Sequence, residues 1–416
     1  MAANILQTIS MISREAAMVL GNTLDLAKRV NREHDSDFNV KSAQIGQTIN
    51  VRRPIRPTVR TGNAADIQAI QQTFSPLTIQ NPHGADFALT SPELTFSIDD
   101  YSKMTIEPVM AALGSQVEAD GWATLAQWTF NSVGTPGTAL TGGPTGNARK
   151  YVGLARALLQ KNLPPMGADR QSFIMDPDFN AVLVDTNATL FNAMPEIAKN
   201  YTSGFQGNLL GLLSFMNQLV PAHTFGTGAG TPVIATAVPA NSLFPSNGVN
   251  SSQISTSGWT SGSLSLNVGD VLTIAGVYAV NAQTKQTLSN LQQFVVTAPV
   301  TDTSGSAVIS VSPAIITTGG FQNVSAAPAA GAAVTLLATG VSSQRAFIFD
   351  RDALMLVAKA LDTFSVGPGK VSVDTQTGIP VRVQQMPDIK GNQEILRYDI
   401  AYGWAPLYNR NGLKRF

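Results

Sequence analysis

Residues 94–120 read LTFSIDDYSKMTIEPVMAALGSQVEAD, and this stretch decides the fold. Within it and just after it, apolar or small residues recur at intervals of four and three: Val109, Leu113, Val117, Gly121, Leu125 and Trp128. This spacing predicts one helix from Thr105 to about Asn131. Pro108 fits only the first turn of a helix, so the helix must begin near Thr105 to Glu107. With a rise of about 1.5 Å per residue, its length is roughly 35 Å, comparable to a small domain.

Two segments precede this helix. In residues 1–47 an amphipathic helix is predicted, because apolar residues recur three or four apart: Ile5, Ile9, Ile12, Ala16, Val19 or Leu20, Leu24 and Ala27. Helices of this type usually pack on their own domain. Residues 48–98 carry TINVRRPIRPTVRTG and FALTSPELTFSI on either side of a polar middle. These β-rich runs predict a long two-stranded hairpin arm. Pro54 and Pro57 confine its first strand to a sheet edge.

The segment that follows the helix, within residues 99–225, mixes helix and strand patterns. A helix is predicted at 147–162, a strand at QSFIM, and a second helix with Asp176 as its N-cap and Pro177 at its first position.

Residues 226–340 differ sharply in composition from both flanks. Between Lys199 and Arg345 the only charged residues are Asp270, Lys285 and Asp302. Short apolar runs such as VLTIAGVYAV and AVISVSP alternate with Gly, Pro and Asn. This pattern predicts a separate antiparallel β-domain, either a sandwich or a barrel.

The last segment, residues 341–416, returns to ordinary charge density. Its AFIFDRDALMLVAKALD predicts a strand followed by a helix capped by Asp350, and EILRYDIAYGW predicts a closing strand. The contrast in composition therefore makes residues 226–340 an insertion between two parts of one mixed α/β body.

The overall composition excludes several classes. Of 416 residues 44% are hydrophobic and 13% charged, against about 25% charged in an average domain, so the chain is not intrinsically disordered. The 27 basic and 27 acidic residues give a net charge of zero, so no global field attracts nucleic acid or a membrane. Cysteine is absent, which excludes disulfides and thiolate chemistry. The sequence contains no apolar run of about 18 residues, so no transmembrane helix is predicted.

Catalytic and metal-binding patterns have little support. The histidines are far apart and lack an HExxH spacing: His34, His83 and His223. Asp99 and Asp100 suit acid–base chemistry, but stabilisation of a helix N-terminus explains them better. The GxGxG run at 226–230 lacks the helix of a dinucleotide site and is interpreted as a linker. We therefore predict no catalytic residue, no metal and no cofactor.

One charged cluster is a candidate contact site, formed by Arg52, Arg53, Arg56 and Arg60 on the hairpin arm. Guanidinium groups match the geometry of phosphate and of carboxylate. No aromatic residue lies in the cluster, which weakens binding to a single nucleic-acid strand. An exposed edge strand also needs a cover, so a carboxylate-rich face of a neighbouring subunit is the favoured partner.

In their order, these segments resemble the major capsid proteins of tailed bacteriophages, which have the HK-ninety-seven type fold. The resemblance rests on the helical N-terminal arm, the hairpin arm, the Ile106-Glu107-Pro108 turn into a spine helix, AFIFDRDALMLVAKAL and the closing RYDIAYGWAPLY. Residues 267–296 are similar to the extra β-domain of the P-twenty-two type coat proteins at Gly269, Asp270, Ala275, Gly276, Val277, Lys285, Leu288 and Phe294.

The resemblance implies an α+β capsid fold with an inserted all-β domain, and a non-enzymatic major capsid protein. It implies self-assembly through hexamers and pentamers into an icosahedral shell around double-stranded DNA, held on the inner face without sequence specificity. A scaffolding protein, a portal and assembly in the host bacterial cytoplasm are implied as well. Some members of the fold crosslink through an arm lysine, but no lysine lies between Lys41 and Lys103, so that crosslink is not expected.

Two other classes stay open on the sequence alone. The Thr/Ser/Gly-rich middle suits a secreted or surface-displayed β-rich adhesin, although the N-terminus lacks a signal-peptide pattern. An enzyme with a β accessory domain is the third interpretation, and it lacks a catalytic constellation.

Overall fold

A computed structural model describes the residues 9–33, 48–53, 57, 60, 62–63, 65, 67, 74–79, 82–90, 102–142, 146–162, 171–188, 208–238, 252–302, 304–343, 346–365, 367–374, 376–388 and 393–415. In these residues the α-helices are α1 Ile9–Thr23, α2 Glu107–Trp128, α3 Ala148–Asn162 and α4 Pro177–Ala188. A single π-helical turn, Ser102–Ile106, precedes α2.

The first strands in chain order are β1 Thr48–Arg52, β2 Phe74–Thr78, β3 His83–Thr90, β4 Asn131–Val133, β5 Gln171–Met175, β6 Asn208–Leu209, β7 Leu212–Met216 and β8 His223–Thr224. The next are β9 Gly230–Ile234, β10 Ser252–Trp259, β11 Ser265–Leu266, β12 Val271–Val280, β13 Thr287–Val296, β14 Val300–Thr301, β15 Ser306–Ser312 and β16 Val334–Leu336. The last are β17 Ser342–Ser343, β18 Ala346–Asp350, β19 Leu354–Lys359, β20 Gly369–Val373, β21 Pro380–Asp388, β22 Gln393–Pro406 and β23 Gly412–Arg415.

The chain divides into two compact units. The first comprises Met1–Val51, Pro76–Gly121 and Leu354–Ala405. Its sheet has the order β19-β22-β21-β20, with β3 pairing along β22. Helix α1 packs on β20 and β21 and buries Ile12, Ala16 and Leu20. The amphipathic pattern of the N-terminal segment thus packs on its own unit.

Helix α2 begins and ends close to the predicted positions. The predicted stripe is buried at Val109, Leu113, Val117 and Leu125, whereas Trp128 is half-buried. A second stripe, which the sequence pattern did not predict, is also buried: Met110, Gly114, Glu118, Trp122 and Ala126. The helix is therefore covered along two sides, which explains why its apolar and polar residues do not separate into two clean faces.

The second unit comprises Arg52–Ser75, Trp122–Ala353 and Pro406–Phe416. Its mixed sheet has the order β4-β23-β18-β5-β7-β6. Helices α3 and α4 bury apolar residues against this sheet, including Val152, Leu159 and Leu183. The predicted elements at 147–162, QSFIM and Pro177 are confirmed as α3, β5 and α4.

The charge-poor region forms a second, entirely antiparallel sheet with the order β16-β12-β13-β15-β10-β9. Its two edge strands meet, because the Ile234 amide donates to the Ala332 carbonyl at 2.9 Å and the Gly331 amide donates to the Ile234 carbonyl at 2.8 Å. The sheet thus closes into a barrel. Its core is a single cluster of apolar side chains from 234–334, centred on residues such as Phe294 and Ile309.

The chain passes into and out of the barrel at one place. Strands β8 and β17 pair antiparallel, with Thr224 opposite Ser342 and His223 opposite Ser343. The Phe225 amide donates to the Val341 carbonyl at 2.8 Å, and the Gly340 amide donates to the Gly226 carbonyl at 2.9 Å. Gly226 has no room for a Cβ, which would lie 2.1 Å from the Ser265 carbonyl oxygen. Gly226 is therefore closely packed at the entry to the barrel, whereas Gly230, the end of the glycine run, already begins β9.

Two secondary-structure predictions were wrong. The segment after Asp350 forms a short 3-10 helix, Arg351–Ala353, and then β19 instead of a helix. Leu354–Ala358 are buried on both faces, and such a short apolar run does not distinguish a buried strand from a helix. The second correction concerns the arm: β1 pairs with β2, whereas Phe87–Thr90 belong to β3 and pair with β22.

No helix in the described part of the chain is long and apolar enough to cross a membrane.

Asp302 lies in the turn between β14 and β15, and we expect the hydrogen bonds of its carboxylate to make a pH-dependent contribution to barrel stability. Its carboxylate accepts amide hydrogen bonds from Ser304 at 2.7 Å, Gly305 at 2.8 Å and Ser306 at 3.2 Å. These bonds, led by that from Ser304, hold the pKa of Asp302 below its ordinary value. A lowered folded-state pKa stabilises the barrel above the unfolded value of about 3.9, and this stabilisation is lost as the pH falls through the folded pKa.

Asp302→Ala should therefore lower the Tm at pH 7, and the difference from the unmodified chain should shrink below about pH 4. Thermal unfolding by circular dichroism between pH 3 and 7 measures this. Asp302→Asn, which keeps one acceptor oxygen but does not titrate, serves as the control. A Tm difference that stays constant across this range would contradict the assigned role.

Candidate functional site

The arginine cluster predicted on the arm does not act as one group. Arg53 turns into its own chain: its Nη2 donates to Ser75 Oγ at 3.1 Å, and its Cζ lies 6.0 Å from the centroid of the Tyr408 ring. Ser75 is buried and in turn donates to the Pro406 carbonyl at 2.5 Å. Arg53 therefore anchors the base of the arm within its own unit.

The other arm arginines are placed differently. Arg52 and Arg60 are exposed, and the Arg60 Nη1 donates to the Gly62 carbonyl of the same loop. Arg56 lies outside the described residues. Arg52 and Arg60 thus lie at the surface, with Arg60 already bonded within its own loop.

A buried carboxylate fixes the segment that follows α1. Glu118 on α2 is only 1% exposed, and its Oε1 accepts from the amides of Asp25 and Leu26, the latter at 2.6 Å. These amides begin the turn that follows α1, so the Glu118 carboxylate holds this turn against α2. The sequence pattern missed Glu118 because a lone acid within a helical stripe gives no signal of burial.

A second charge group holds the sheet of the first unit. The Arg382 Nη2 lies 2.6 Å from Asp399 Oδ2, and both residues are buried. Arg397 also donates to Asp399 through its Nε at 2.9 Å, and this bond together with the charge of Asp399 raises the pKa of Arg397. Asp399 thus joins β21 to β22, and removing Asp399 would leave the buried charge of Arg382 without its carboxylate.

The histidines and nearby titratable groups have packing roles. His83 stacks on the Tyr402 ring at 5.2 Å. Burial raises the pKa of Tyr402, and its hydroxyl, which donates to Asp120 Oδ2 at 2.6 Å, stays neutral. His223 pairs with Asp270, while His34, Asp99 and Asp100 lie outside the described residues. The described part of the chain contains no group of three or more His, Cys, Asp or Glu residues that could hold a metal ion.

All three charged residues of the barrel region are used by contacts within the chain. Asp270 accepts from the amides of Gly226 and Asn267 through its Oδ2, and Asp302 accepts from its own turn. The Lys285 ammonium donates to the Gly320 carbonyl. The barrel region therefore offers few charges to its surroundings, with Lys285 only partly buried.

Glu118 gives a direct test of the geometry. Glu118→Ala leaves two backbone amides without their acceptor, and we expect a loss of about 2–4 kcal/mol in the free energy of unfolding. Glu118→Gln, which keeps one acceptor oxygen, should lose clearly less. Urea unfolding of the unassembled chain measures both variants, and equal losses would show that the acceptor oxygen is not what matters.

Comparison with known protein families gives a match for this chain. The model of the family described as P22 coat protein, gene protein 5, matches residues 1–410. No curated protein sequence matches the chain.

Solved phage structures are similar at low identity. The structure titled Mycobacterium phage Che8 is 12% identical, with a TM-score of 0.48, and the match covers 94% of this chain and 90% of that chain. The capsid of Ralstonia phage GP4 is 8% identical, with a TM-score of 0.43, and the match covers 100% and 92%. The I-domain of the CUS-3 coat protein is 29% identical, with a TM-score of 0.20, and the match covers 26% and 96%.

The family match spans nearly the whole sequence and leaves the adhesin interpretation without support. The chain belongs to the P22 coat protein family, and its function is that of a major capsid protein of a tailed bacteriophage.

Proposed function

We propose that copies of this chain assemble, as hexamers and pentamers, into an icosahedral shell that encloses double-stranded DNA. The observation that carries the proposal is the family match over residues 1–410. The role is structural and needs no catalysis. Closed shells from one chain require interfaces that close by rotation, and five- and six-fold rings meet this condition.

The sparse and balanced charge supports mutual contact between copies. With 13% charged residues and zero net charge, copies approach one another without strong electrostatic repulsion. Each charge left on a contact face would have to be paired or desolvated at a cost of several kcal/mol. A chain that places many of its charges in internal contacts avoids this cost at its interfaces.

The partners beyond the chain itself follow from the shell. A scaffolding protein and a portal are expected during assembly in the host bacterial cytoplasm, and the finished shell is part of the virion. DNA on the inner face contacts the protein through its phosphates, which requires no base recognition.

We propose the domain division 1–47, 48–98, 99–225, 226–340 and 341–416, with 226–340 as an inserted domain. The closed barrel, its separate core and the pairing of β8 with β17 support this division. Because the region has only three charged residues, its contacts with neighbouring copies are mostly polar-neutral and apolar.

We propose that Arg52, Arg56 and Arg60 contact carboxylates of a neighbouring copy, whereas Arg53 holds the arm to its own unit. The exposure of Arg52 and Arg60 supports the subunit contact, and the bond from the half-buried Arg53 to Ser75 and its packing on Tyr408 support its separate role. This refines the sequence prediction, in which the arginine row acted as one site.

Assembly of the recombinant chain tests the shell directly. We expect closed particles or capsomers that pellet on ultracentrifugation and appear in negative-stain electron microscopy when the phage's other structural proteins are co-expressed. Monomers under both conditions, with and without those proteins, would overturn the proposal.

The arm arginines are tested by Arg52→Ser combined with Arg60→Ser. The assembled fraction should fall at least tenfold, because each shell contains the contact many times, while the Tm of the unassembled chain changes by less than about 1 °C. Lys150→Ser combined with Lys161→Ser removes the same charge from the exposed side of α3 and is the matched control.

Arg53→Ser separates anchoring from subunit contact. It should lower the Tm of the unassembled chain, since it removes the bond to Ser75 and the packing on Tyr408.

Normal assembly by the Arg52/Arg60 double variant would exclude those two arginines as subunit contacts.

A further inference from the structure

Several polar contacts attach the barrel to the rest of its compact unit, and we call three of them the junction. The junction consists of Lys414 with Gly269, Ser132 with Gln293, and His223 with Asp270.

The first contact uses a fully buried lysine. The Lys414 Nζ donates to the Gly269 carbonyl at 2.6 Å and to the Ala126 carbonyl at 3.3 Å. Ala126 lies in the last turn of α2, where carbonyl groups lack partners within the helix and carry partial negative charge. One ammonium group thus bridges the C-terminus of α2, strand β23 and the start of the barrel.

The turn at Gly269 is hydrogen-bonded to the barrel strands. Gly269 has a φ of +96°, a conformation that glycine adopts without strain. Its amide donates to the Val296 carbonyl at 2.9 Å, and the Val296 amide donates to the Asp270 carbonyl at 2.8 Å. The lysine therefore holds the point where β12 begins and β13 ends.

The second contact lies beside the first. Ser132 and Lys414 are opposite each other in the parallel pair β4–β23. The Gln293 side chain accepts from the Ser132 amide at 2.7 Å and donates to the Ser132 carbonyl at 3.0 Å. A barrel side chain thus pairs with the edge of the mixed sheet as a neighbouring strand would.

The third contact involves β8, which pairs with β17 where the chain enters and leaves the barrel. The His223 Nε2 lies 2.7 Å from Asp270 Oδ1, and both side chains are buried. The His223 ring packs edge-on against Phe225 at 4.6 Å. Contacts at separate points fix the orientation of one body on another, and hydrogen bonds do so through their directionality.

We propose that Lys414 is a positioning residue that sets the orientation of the barrel on the mixed sheet of its unit. The inference rests on the proposed role of residues 226–340 as an inserted domain. In the assembled shell this orientation decides which barrel surface faces a neighbouring copy. Without the ammonium group, the barrel keeps its own core but loses the central contact of the junction.

The absence of cysteine allows a direct measurement of this orientation. Spin labels at Lys150→Cys on α3 and Tyr278→Cys on β12, both exposed positions, report the distance between sheet and barrel by pulsed electron paramagnetic resonance. In the unassembled chain we expect one narrow distance distribution. Lys414→Met should at least double its width, whereas Lys161→Met, the same substitution at an exposed lysine, should leave it unchanged.

Hydrogen exchange separates positioning from folding. In Lys414→Met, barrel-core amides such as those of Phe294 and Ile309 should keep their exchange rates within about twofold, while the Ser132 amide should exchange at least tenfold faster. An unchanged distance distribution, or loss of protection throughout the barrel core, would overturn the proposal.

A second variant covers a failure of Lys414→Met to fold. Gln293→Leu removes the neighbouring contact and leaves the ammonium in place, and it should broaden the distribution by a smaller amount. If Lys414→Met does not fold, an unchanged distribution in Gln293→Leu overturns the proposal. Because both measurements use the unassembled chain, a failure of the unmodified chain to form shells would count against the proposed function alone.

Discussion

Close packing along the second half of helix α2 is the constraint on which the rest of the structure depends. Between Val117 and Trp122 nearly every residue is committed to a contact. The Val117 carbonyl accepts from Trp404 Nε1 at 3.0 Å, and Asp120 accepts from Tyr402. A Cβ on Gly121 would lie 2.7 Å from Leu26 and 2.8 Å from Trp404. Any larger residue at this position would push the helix away from the turn after α1 and from β22 together.

The same helix continues into the second unit with a different set of contacts. Trp122 stacks on Phe347 at 5.5 Å and meets Phe349 edge-on at 6.3 Å, both on β18. Ala126 then supplies a carbonyl to Lys414. Consecutive turns of one helix thus contribute a carboxylate that accepts from two amides, an aromatic stack and the carbonyl that accepts from Lys414. This explains why its sequence separates poorly into polar and apolar faces although its hydrophobic spacing is strong.

The sequence predicted elements whose signals are local. Periodicity located α2, and Asp176 with Pro177 located the start of α4. Absence of charge delimited the barrel region, because a region that buries its strands in its own core has few charges to place. What failed depended on distant partners: β19 is a strand because both of its faces are covered, and β3 pairs with β22, more than 300 residues away.

The candidate site also combines residues that the sequence revealed with residues whose roles depend on distant partners. The arginine row was visible in the sequence, but nothing local distinguishes Arg53, which meets Ser75, from Arg52, which is exposed. Lys414 was not visible at all, because the carbonyls of Ala126 and Gly269 that accept from it leave no mark in the sequence. A charge held by main-chain carbonyls is also insensitive to the identity of the side chains around it. A shell protein can therefore vary its surfaces while such internal attachments keep the geometry that its interfaces require.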